Sequence, residues 1–129
     1  MSYLGIDYGT KRIGVAFSSE DNSLAFPLKI VAAGNGAVGE IAAIARERGA
    51  GEIVVGESND FAGKPNAVMK EIHAFAEALK AEGFVVTFEP EFLTSAAALR
   101  GQEAVEKHLD ASAAALILQS FLDRMKNHG

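Results

Sequence analysis

The chain alternates between two periodicities of apolar residues. Three short β-prone segments come first, separated by a glycine-containing turn and by a polar cluster of turn formers. Beyond residue 36 the apolar positions recur at helical spacing, and strand-like and helix-like segments then follow in turn. The pattern predicts strands at residues 3–7, 13–18, 25–31, 52–56 and 84–88, and helices at residues 38–49, 68–79 and 110–126, with a short helix at 94–100 as an option.

The predicted order β-β-β-α-β-α-β-α indicates the fold class. The first strands are close enough in sequence to form antiparallel hairpins, whereas each β-α-β unit implies a parallel pair. The second of these units is expected to cross over right-handed. We therefore expect an α/β protein with a five-stranded mixed sheet and helices on its faces, which matches the ribonuclease H-like (RNase H-like) architecture. Half of the actin-like nucleotide-binding architecture has the same arrangement, so the fold alone does not select a chemistry.

The composition fits one domain over residues 1–129, because 49% apolar residues are enough for one contiguous core. The apolar stretches are far shorter than the roughly 18 residues of a membrane-spanning helix, and the first residues lack the pattern of a secretory signal. The chain has no cysteine, which fits a reducing compartment and excludes thiolate metal sites. We expect a cytoplasmic protein with no membrane partner, in which any metal is bound by carboxylates.

The charge balance opposes tight binding to duplex nucleic acid. The chain has 12 basic and 17 acidic residues, for a formal net charge of −5, and the basic residues are scattered. Affinity for nucleic acid depends mainly on neutralising phosphates. A nucleic-acid-binding function therefore predicts weak, salt-sensitive binding by one subunit.

Asp7 is the first candidate for chemistry. It follows an apolar strand that is expected at the centre of the sheet. A buried carboxylate there needs cations or hydrogen-bond donors, because leaving it unpaired is costly. Two structural roles stay open for Asp7, namely capping the hairpin turn and pairing with Lys11 or Arg12.

Further carboxylates lie where other predicted elements end or begin. Glu89 and Glu91 follow the last strand, and ligand sites in open α/β sheets lie at such ends. Asp110 precedes the apolar stripe of the terminal helix by helical spacing, so it is expected to point towards the sheet. The structural alternatives are that Glu89 and Glu91 are solvated and that Asp110 is a helix N-cap.

Together these acids predict a carboxylate cluster at one edge of the sheet. Carboxylates brought together repel each other unless cations neutralise them, and hard ions such as Mg²⁺ prefer oxygen ligands. Two such ions can cleave a phosphodiester bond without a protein nucleophile. The histidines add little, since His73 is expected on a helix surface and His108 in a solvated loop.

Four segments resemble the motifs of one family. The segment Leu-Gly-Ile-Asp-Tyr-Gly-Thr-Lys-Arg-Ile-Gly-Val-Ala at residues 4–16 is similar to the opening motif of the YqgF (RuvX) family, and residues 53–56, 91–95 and 110–120 resemble its later motifs. Members are RNase H-like proteins, described as Holliday-junction resolvases and as nucleases that process the 5′ end of pre-16S ribosomal RNA. The resemblance implies that Asp7, Glu91 and Asp110 are catalytic acids that bind Mg²⁺ or Mn²⁺.

Two departures from the family pattern concern substrate binding. Phe92 stands where the family usually has an arginine, and Glu57-Ser58 stands where it has Leu-Pro. Three basic residues remain as candidates for binding phosphate. They are Lys11, Arg12 and Lys64, the last in a predicted substrate loop at residues 57–66.

The leading hypothesis is a metal-dependent nuclease that acts on structured RNA or branched DNA. Pre-16S ribosomal RNA processing is the first choice of reaction, and Holliday-junction resolution is the alternative. A phosphate-binding relative of the sugar kinases and a non-catalytic interaction module are further alternatives. The choice between a monomer and a homodimer stays open.

Overall fold

The computed structural model describes residues 2–9, 11–57, 67–90 and 111–128. Within these ranges the predicted order of strands and helices is confirmed. Asp110 and the optional helix at residues 94–100 lie outside them. The strands are β1 (Ser2–Tyr8), β2 (Arg12–Ser18), β3 (Ala25–Ala32), β4 (Ala50–Glu57) and β5 (Val85–Pro90), and the helices are α1 (Ala37–Arg48), α2 (Ala67–Ala81) and α3 (Ser112–His128).

The five strands form one mixed sheet in the order β3-β2-β1-β4-β5. The pairs β1–β2 and β2–β3 are antiparallel, and the pairs β1–β4 and β4–β5 are parallel. The predicted five-stranded mixed sheet is therefore confirmed. Because β1 is the middle strand, the carboxylate near its end lies at the centre of one edge of the sheet.

Alternation along β1 divides its side chains between two helical layers. Leu4 and Ile6 are fully buried in the larger apolar cluster, which lies between the sheet, α1 and α2. Gly5 faces the opposite side, where α3 packs with Leu118 and Phe121 against the sheet. Asp7 lies on this second face with Gly5, because residues two apart in a strand point the same way.

Glycines in the sheet permit the close packing of α3. A Cβ atom built on Gly5 would lie 2.6 Å from the Cβ of Leu118 and 2.9 Å from the carbonyl oxygen of Ala114. A Cβ atom on Gly56 would lie 2.6 Å from Cδ1 of Ile117. A side chain at either position would therefore displace atoms of α3.

Helix α1 ends at Gly49, whose φ of 70° is left-handed, and the predicted helix end at this glycine is confirmed. Among the helices that the structure describes, none is both long enough and apolar enough to span a bilayer.

Candidate functional site

The candidate site is built on Asp7, near the end of the central strand. Asp7 is partly buried and pairs across the antiparallel ladder with Gly14. A Cβ atom on Gly14 would lie 3.6 Å from the Cα of Ala111 and 3.7 Å from the Cβ of Asp7. The side chain of Asp7 and the start of α3 are therefore close to the same point.

The strand positions on both sides of Asp7 are glycines. Gly14 pairs with Asp7 on β2. On β4, Val55 pairs with Ile6, so the next residue, Gly56, lies beside Asp7. Neither glycine has a side chain, and α3 fills the space over them, since Ala111 and Ala114 lie against Gly14 and Ile117 lies against Gly56. A carboxylate oxygen such as that of Asp7 is the kind of ligand that Mg²⁺ prefers.

The start of α3 adds a favourable electrostatic environment. The Ala115 amide donates to the Ala111 carbonyl at 3.1 Å, which begins the helical hydrogen-bond ladder beside Asp7. The amino end of a helix carries partial positive charge. Anionic groups, including a carboxylate or a phosphate, are therefore favoured at this edge of the sheet.

The predicted site residues are only partly included in the described structure. Lys11 and Arg12 are exposed where β2 begins, next to the turn that follows Asp7 and Tyr8. Glu91, Asp110 and Lys64 lie outside the described residues, as does His108. Across the described ranges no three acidic or histidine side chains form a group that could hold a metal ion. Glu91 and Asp110 are two of the three predicted ligands, so this statement does not test the predicted metal site.

Tyr8 anchors the end of β1 to the other helical layer. Its hydroxyl donates to Oε1 of Glu71 on α2 at 3.3 Å, and its ring centroid lies 5.2 Å from that of Phe75. Burial, followed by the negative charge of Glu71 and this hydrogen bond, raises the pKa of Tyr8. The strand that carries Asp7 is thus held from both faces, by α3 on one side and by α2 on the other.

For Glu89, the interpretation as a solvated loop residue is wrong. Glu89 belongs to β5 and is only 1% exposed. Its carboxylate accepts a hydrogen bond from the Ser120 hydroxyl at 2.9 Å and forms an ion pair with Arg124. The i, i+4 spacing of Ser120 and Arg124 on one helix was the available signal, since both side chains lie on the same face of α3. For Glu91 the same interpretation lies outside the described residues.

A family model described as "RuvX: Holliday junction resolvase" matches residues 1–124. The chain belongs to the RuvX family. The predicted resemblance to the YqgF (RuvX) family is thereby confirmed.

Curated relatives of this RuvX family member cover almost its whole length. A protein of Nitratidesulfovibrio vulgaris, named "Putative pre-16S rRNA nuclease", is 37% identical over 134 residues, which cover 95% of this chain and 94% of the relative. A protein of Moorella thermoacetica with the same name is 35% identical over 140 residues, covering 100% and 99% of the two chains.

Solved structures of resolvases share the fold. The structure of T. thermophilus RuvC in complex with Holliday junction substrate has a TM-score of 0.58 at 21% identity, covering 97% of this chain and 96% of that one. The Fowlpox virus resolvase in complex with substrate Holliday junction DNA has a TM-score of 0.61 at 10% identity, covering 97% and 99%. The predicted RNase H-like architecture is confirmed by this likeness.

Proposed function

We propose that this RuvX family member is a metal-dependent nuclease that hydrolyses phosphodiester bonds in structured nucleic acid, with 5′-end processing of pre-16S ribosomal RNA as its main reaction. The observation that carries the proposal is the match of the family model over residues 1–124, which includes Asp7 beside the start of α3. The names of the relatives favour ribosomal RNA as the substrate. Such a reaction places the protein in the cytoplasm.

In this proposal Asp7, Glu91 and Asp110 hold Mg²⁺ or Mn²⁺. Asp7 supplies an oxygen ligand on the central strand, beside the start of α3. When bound, divalent ions would activate the attacking water and stabilise the leaving oxygen. The role of the chain is to fix its carboxylates at one point, where the start of α3 also favours an approaching phosphate.

Substrate binding is assigned to three basic residues, of which Lys11 and Arg12 lie at the edge of the sheet that carries Asp7. Lys11 and Arg12 are exposed near the end of β1, and Lys64 completes the proposed set. The net charge of −5 offers little attraction from the rest of the chain. We therefore expect affinity for RNA to fall steeply with salt, because these few contacts depend on phosphate neutralisation.

Holliday-junction resolution is the second candidate. The description of the matching family model favours it. Junction cleavage requires two incisions in strands of like polarity, so this reaction predicts a homodimer in solution. Pre-16S processing needs only one active site, so a strictly monomeric, active protein would favour RNA.

The decisive experiment compares the wild type with Asp7→Asn on two substrates, a pre-16S RNA fragment that carries its 5′ extension and a four-way DNA junction. Asp123→Asn is the matched control, since Asp123 is an exposed carboxylate on α3. We expect Mg²⁺-dependent cleavage by the wild type and the control, and a loss of at least 100-fold in Asp7→Asn, by analogy with other catalytic groups. Equal cleavage by Asp7→Asn would disprove the assigned site.

A non-catalytic interaction module remains the alternative outcome of this experiment. The two proposals differ in metal binding, since an ion that binds only the folded protein must stabilise it. Thermal unfolding with and without Mn²⁺ distinguishes them. No shift of the wild-type midpoint, together with no cleavage, would favour the interaction module.

A further inference from the structure

Asn35 has a sequence setting that no other asparagine of the chain shares. It lies in the loop between β3 and α1, and it is the one asparagine of five that a glycine follows, namely Gly36. Glycine has no Cβ to shield its amide nitrogen, and its backbone adopts conformations that other residues avoid. The side-chain carboxamide of Asn35 and the backbone amide of Gly36 are therefore suited to react with each other.

The structure leaves both groups of this pair accessible. Asn35 and Gly36 are exposed, and a Cβ atom built on Gly36 would meet nothing within 4 Å. In the part of the chain that the structure describes, neither the Asn35 side chain nor the Gly36 amide makes a hydrogen bond. A backbone amide with no partner in the protein is bound by water instead, so hydroxide can reach and remove its proton.

The pair forms the centre of a tight turn. The Ala37 amide donates to the Gly34 carbonyl at 3.1 Å, which places Asn35 and Gly36 between them. Gly36 has a φ of −91° and a ψ of −5°, the usual values for the third residue of a type I turn. Other residues adopt this conformation as readily, so the turn itself does not require glycine at position 36.

Asn22 provides a comparison within the same protein, because it also lies in a turn and is followed by serine. The Ser23 amide donates to Oγ of Ser19 at 3.3 Å and to Oδ1 of Asp21 at 3.1 Å. The carboxamide oxygen of Asn22 accepts a hydrogen bond from the Ser18 hydroxyl at 2.8 Å. Both groups that would have to react at Asn22 are thus held by hydrogen bonds.

We propose that Asn35 is a site of spontaneous deamidation in the folded protein. The Gly36 nitrogen attacks Cγ of Asn35, which closes a succinimide ring and breaks the bond from Cγ to the side-chain nitrogen. That nitrogen leaves as ammonia and takes up the proton that the Gly36 amide loses. Water then opens one of the two imide bonds. Opening at Cγ gives aspartate, and opening at the backbone carbonyl carbon gives isoaspartate, in which the main chain runs through Cβ and Cγ.

The two products differ in their effect on α1. Isoaspartate adds a backbone carbon inside the turn, so we expect it to break the bond from Ala37 to Gly34 and to displace Ala37, which is buried. Aspartate keeps the main chain and adds a negative charge at the start of α1, where the N-cap Gly36 has no side chain to bond the first amides. Isoaspartate should therefore lower the thermal midpoint, whereas Asn35→Asp should not. Neither effect depends on the proposed nuclease activity.

The test ages the full chain, folded, in mildly alkaline buffer and then follows two tryptic peptides by mass spectrometry. Residues 13–29 and 30–46 form neighbouring peptides with one asparagine each, Asn22 in the first and Asn35 in the second. We expect the second peptide to show the mass change from amide to carboxylate and to be labelled by an isoaspartyl methyltransferase. The two hydrogen bonds on the Ser23 amide slow the reaction of Asn22 roughly 10–100-fold, so the first peptide should stay unchanged over the same time.

Two variants each alter one of the reacting groups. Gly36→Ala shields the amide nitrogen with a methyl group that fits both the open space and the turn conformation. Asn35→Gln keeps a carboxamide but can close only a six-membered ring, which forms far more slowly. Both variants change exposed positions, so the fold is expected to persist, and both should lose the conversion over the interval in which the wild type reacts.

Three results would overturn the proposal. The first is a folded protein that keeps Asn35 as asparagine while the urea-unfolded chain converts it, because the fold would then protect the pair. The second is equal conversion in Gly36→Ala and in the wild type, because the Gly36 nitrogen would then not be the attacking group. The third is conversion to aspartate without any isoaspartate label, because water opens a succinimide at both carbonyl carbons.

Discussion

Replacing Gly5 with alanine should destabilise the protein by forcing α3 away from the sheet. The added Cβ would lie 2.6 Å from the Cβ of Leu118 and 2.9 Å from the carbonyl oxygen of Ala114. Carbon atoms in ordinary contact are about 3.5–4.0 Å apart. Because both opposing atoms are fixed to the helix backbone, no side-chain rotation relieves the clash, and α3 must retreat by about 1 Å.

The magnitude follows from two opposing terms. Overpacking of this kind costs about 1–3 kcal/mol, and the backbone contacts place Gly5→Ala at the upper end of that range. The lower entropy of the unfolded alanine chain returns only about 0.4–1 kcal/mol. A net loss of about 2 kcal/mol corresponds to a fall of about 8 °C in the thermal midpoint for a domain of this size.

Two further glycines provide matched controls. The clash in Gly56→Ala involves Cδ1 of Ile117, the far end of a flexible side chain, so its cost should be about 1 kcal/mol or less. Gly39 lies in α1 with nothing within 4 Å of an added Cβ, and Gly39→Ala should stabilise the helix by up to about 1 kcal/mol.

Urea and thermal unfolding of the three variants, followed by circular dichroism, measure this series. From most to least stable, the expected order is Gly39→Ala, wild type, Gly56→Ala and Gly5→Ala. Gly5→Ala should also lose more Mn²⁺ affinity than Gly56→Ala, because the retreat of α3 moves its start away from Asp7. A midpoint for Gly5→Ala at or above that of the wild type would refute the packing argument.

Three other predictions concern single contacts. Gln119 accepts a hydrogen bond from the first amide of β3 at 2.8 Å and donates one to the Ser23 carbonyl at 3.0 Å. Gln119→Ala should therefore lower the free energy of unfolding in urea by roughly 1–3 kcal/mol. An unchanged unfolding midpoint would contradict this prediction. The pKa of Tyr8 is raised, so its contribution to stability is present below the ordinary tyrosine pKa and is lost as pH rises through the pKa of the folded state. Glu71→Gln should lower the pKa of Tyr8, measured by ultraviolet titration in a Tyr3→Phe background. Hydrogen bonds, chiefly from Ser23, lower the pKa of Asp21 to about 2. The contribution of Asp21 to stability is therefore lost only as pH falls from the ordinary aspartate pKa towards 2. Carboxyl NMR should find a titration midpoint of about 2 in the wild type and a higher midpoint in Ser23→Ala.

Local periodicity was sufficient to predict the elements of this fold. Apolar runs identified the central strands, because residues such as Ile53 and Val55 are buried within the sheet. The stripe of α3 identified the helix that covers the second face. The apolar stripe of α3 extends in sequence to Met125, yet Met125 is 43% exposed at the rim of a surface pocket beside the β2–β3 turn. Periodicity gives the face of a helix but not where along its length the sheet ends.

The candidate site was predictable only in part. Asp7 could be identified because a carboxylate at the end of a buried strand is conspicuous in the sequence. For Glu89 the sequence offered only the i, i+4 spacing of Ser120 and Arg124, and that this helix face meets Glu89 depends on the crossing of α3 over the sheet. Local patterns contain no information on that crossing, which depends on Gly5 and Gly56.

The packing of α3 also has a consequence during protein synthesis. The residues that meet at Asp7 belong to the first strand and the last described helix, so nearly the whole chain is translated before they can come together. A nascent chain that lacks α3 has Asp7 but no helix beside it, and its Glu89 lacks the contacts with Ser120 and Arg124. In the proposed nuclease, Asp7 therefore meets the start of α3 only after the segment that forms α3 has been synthesised.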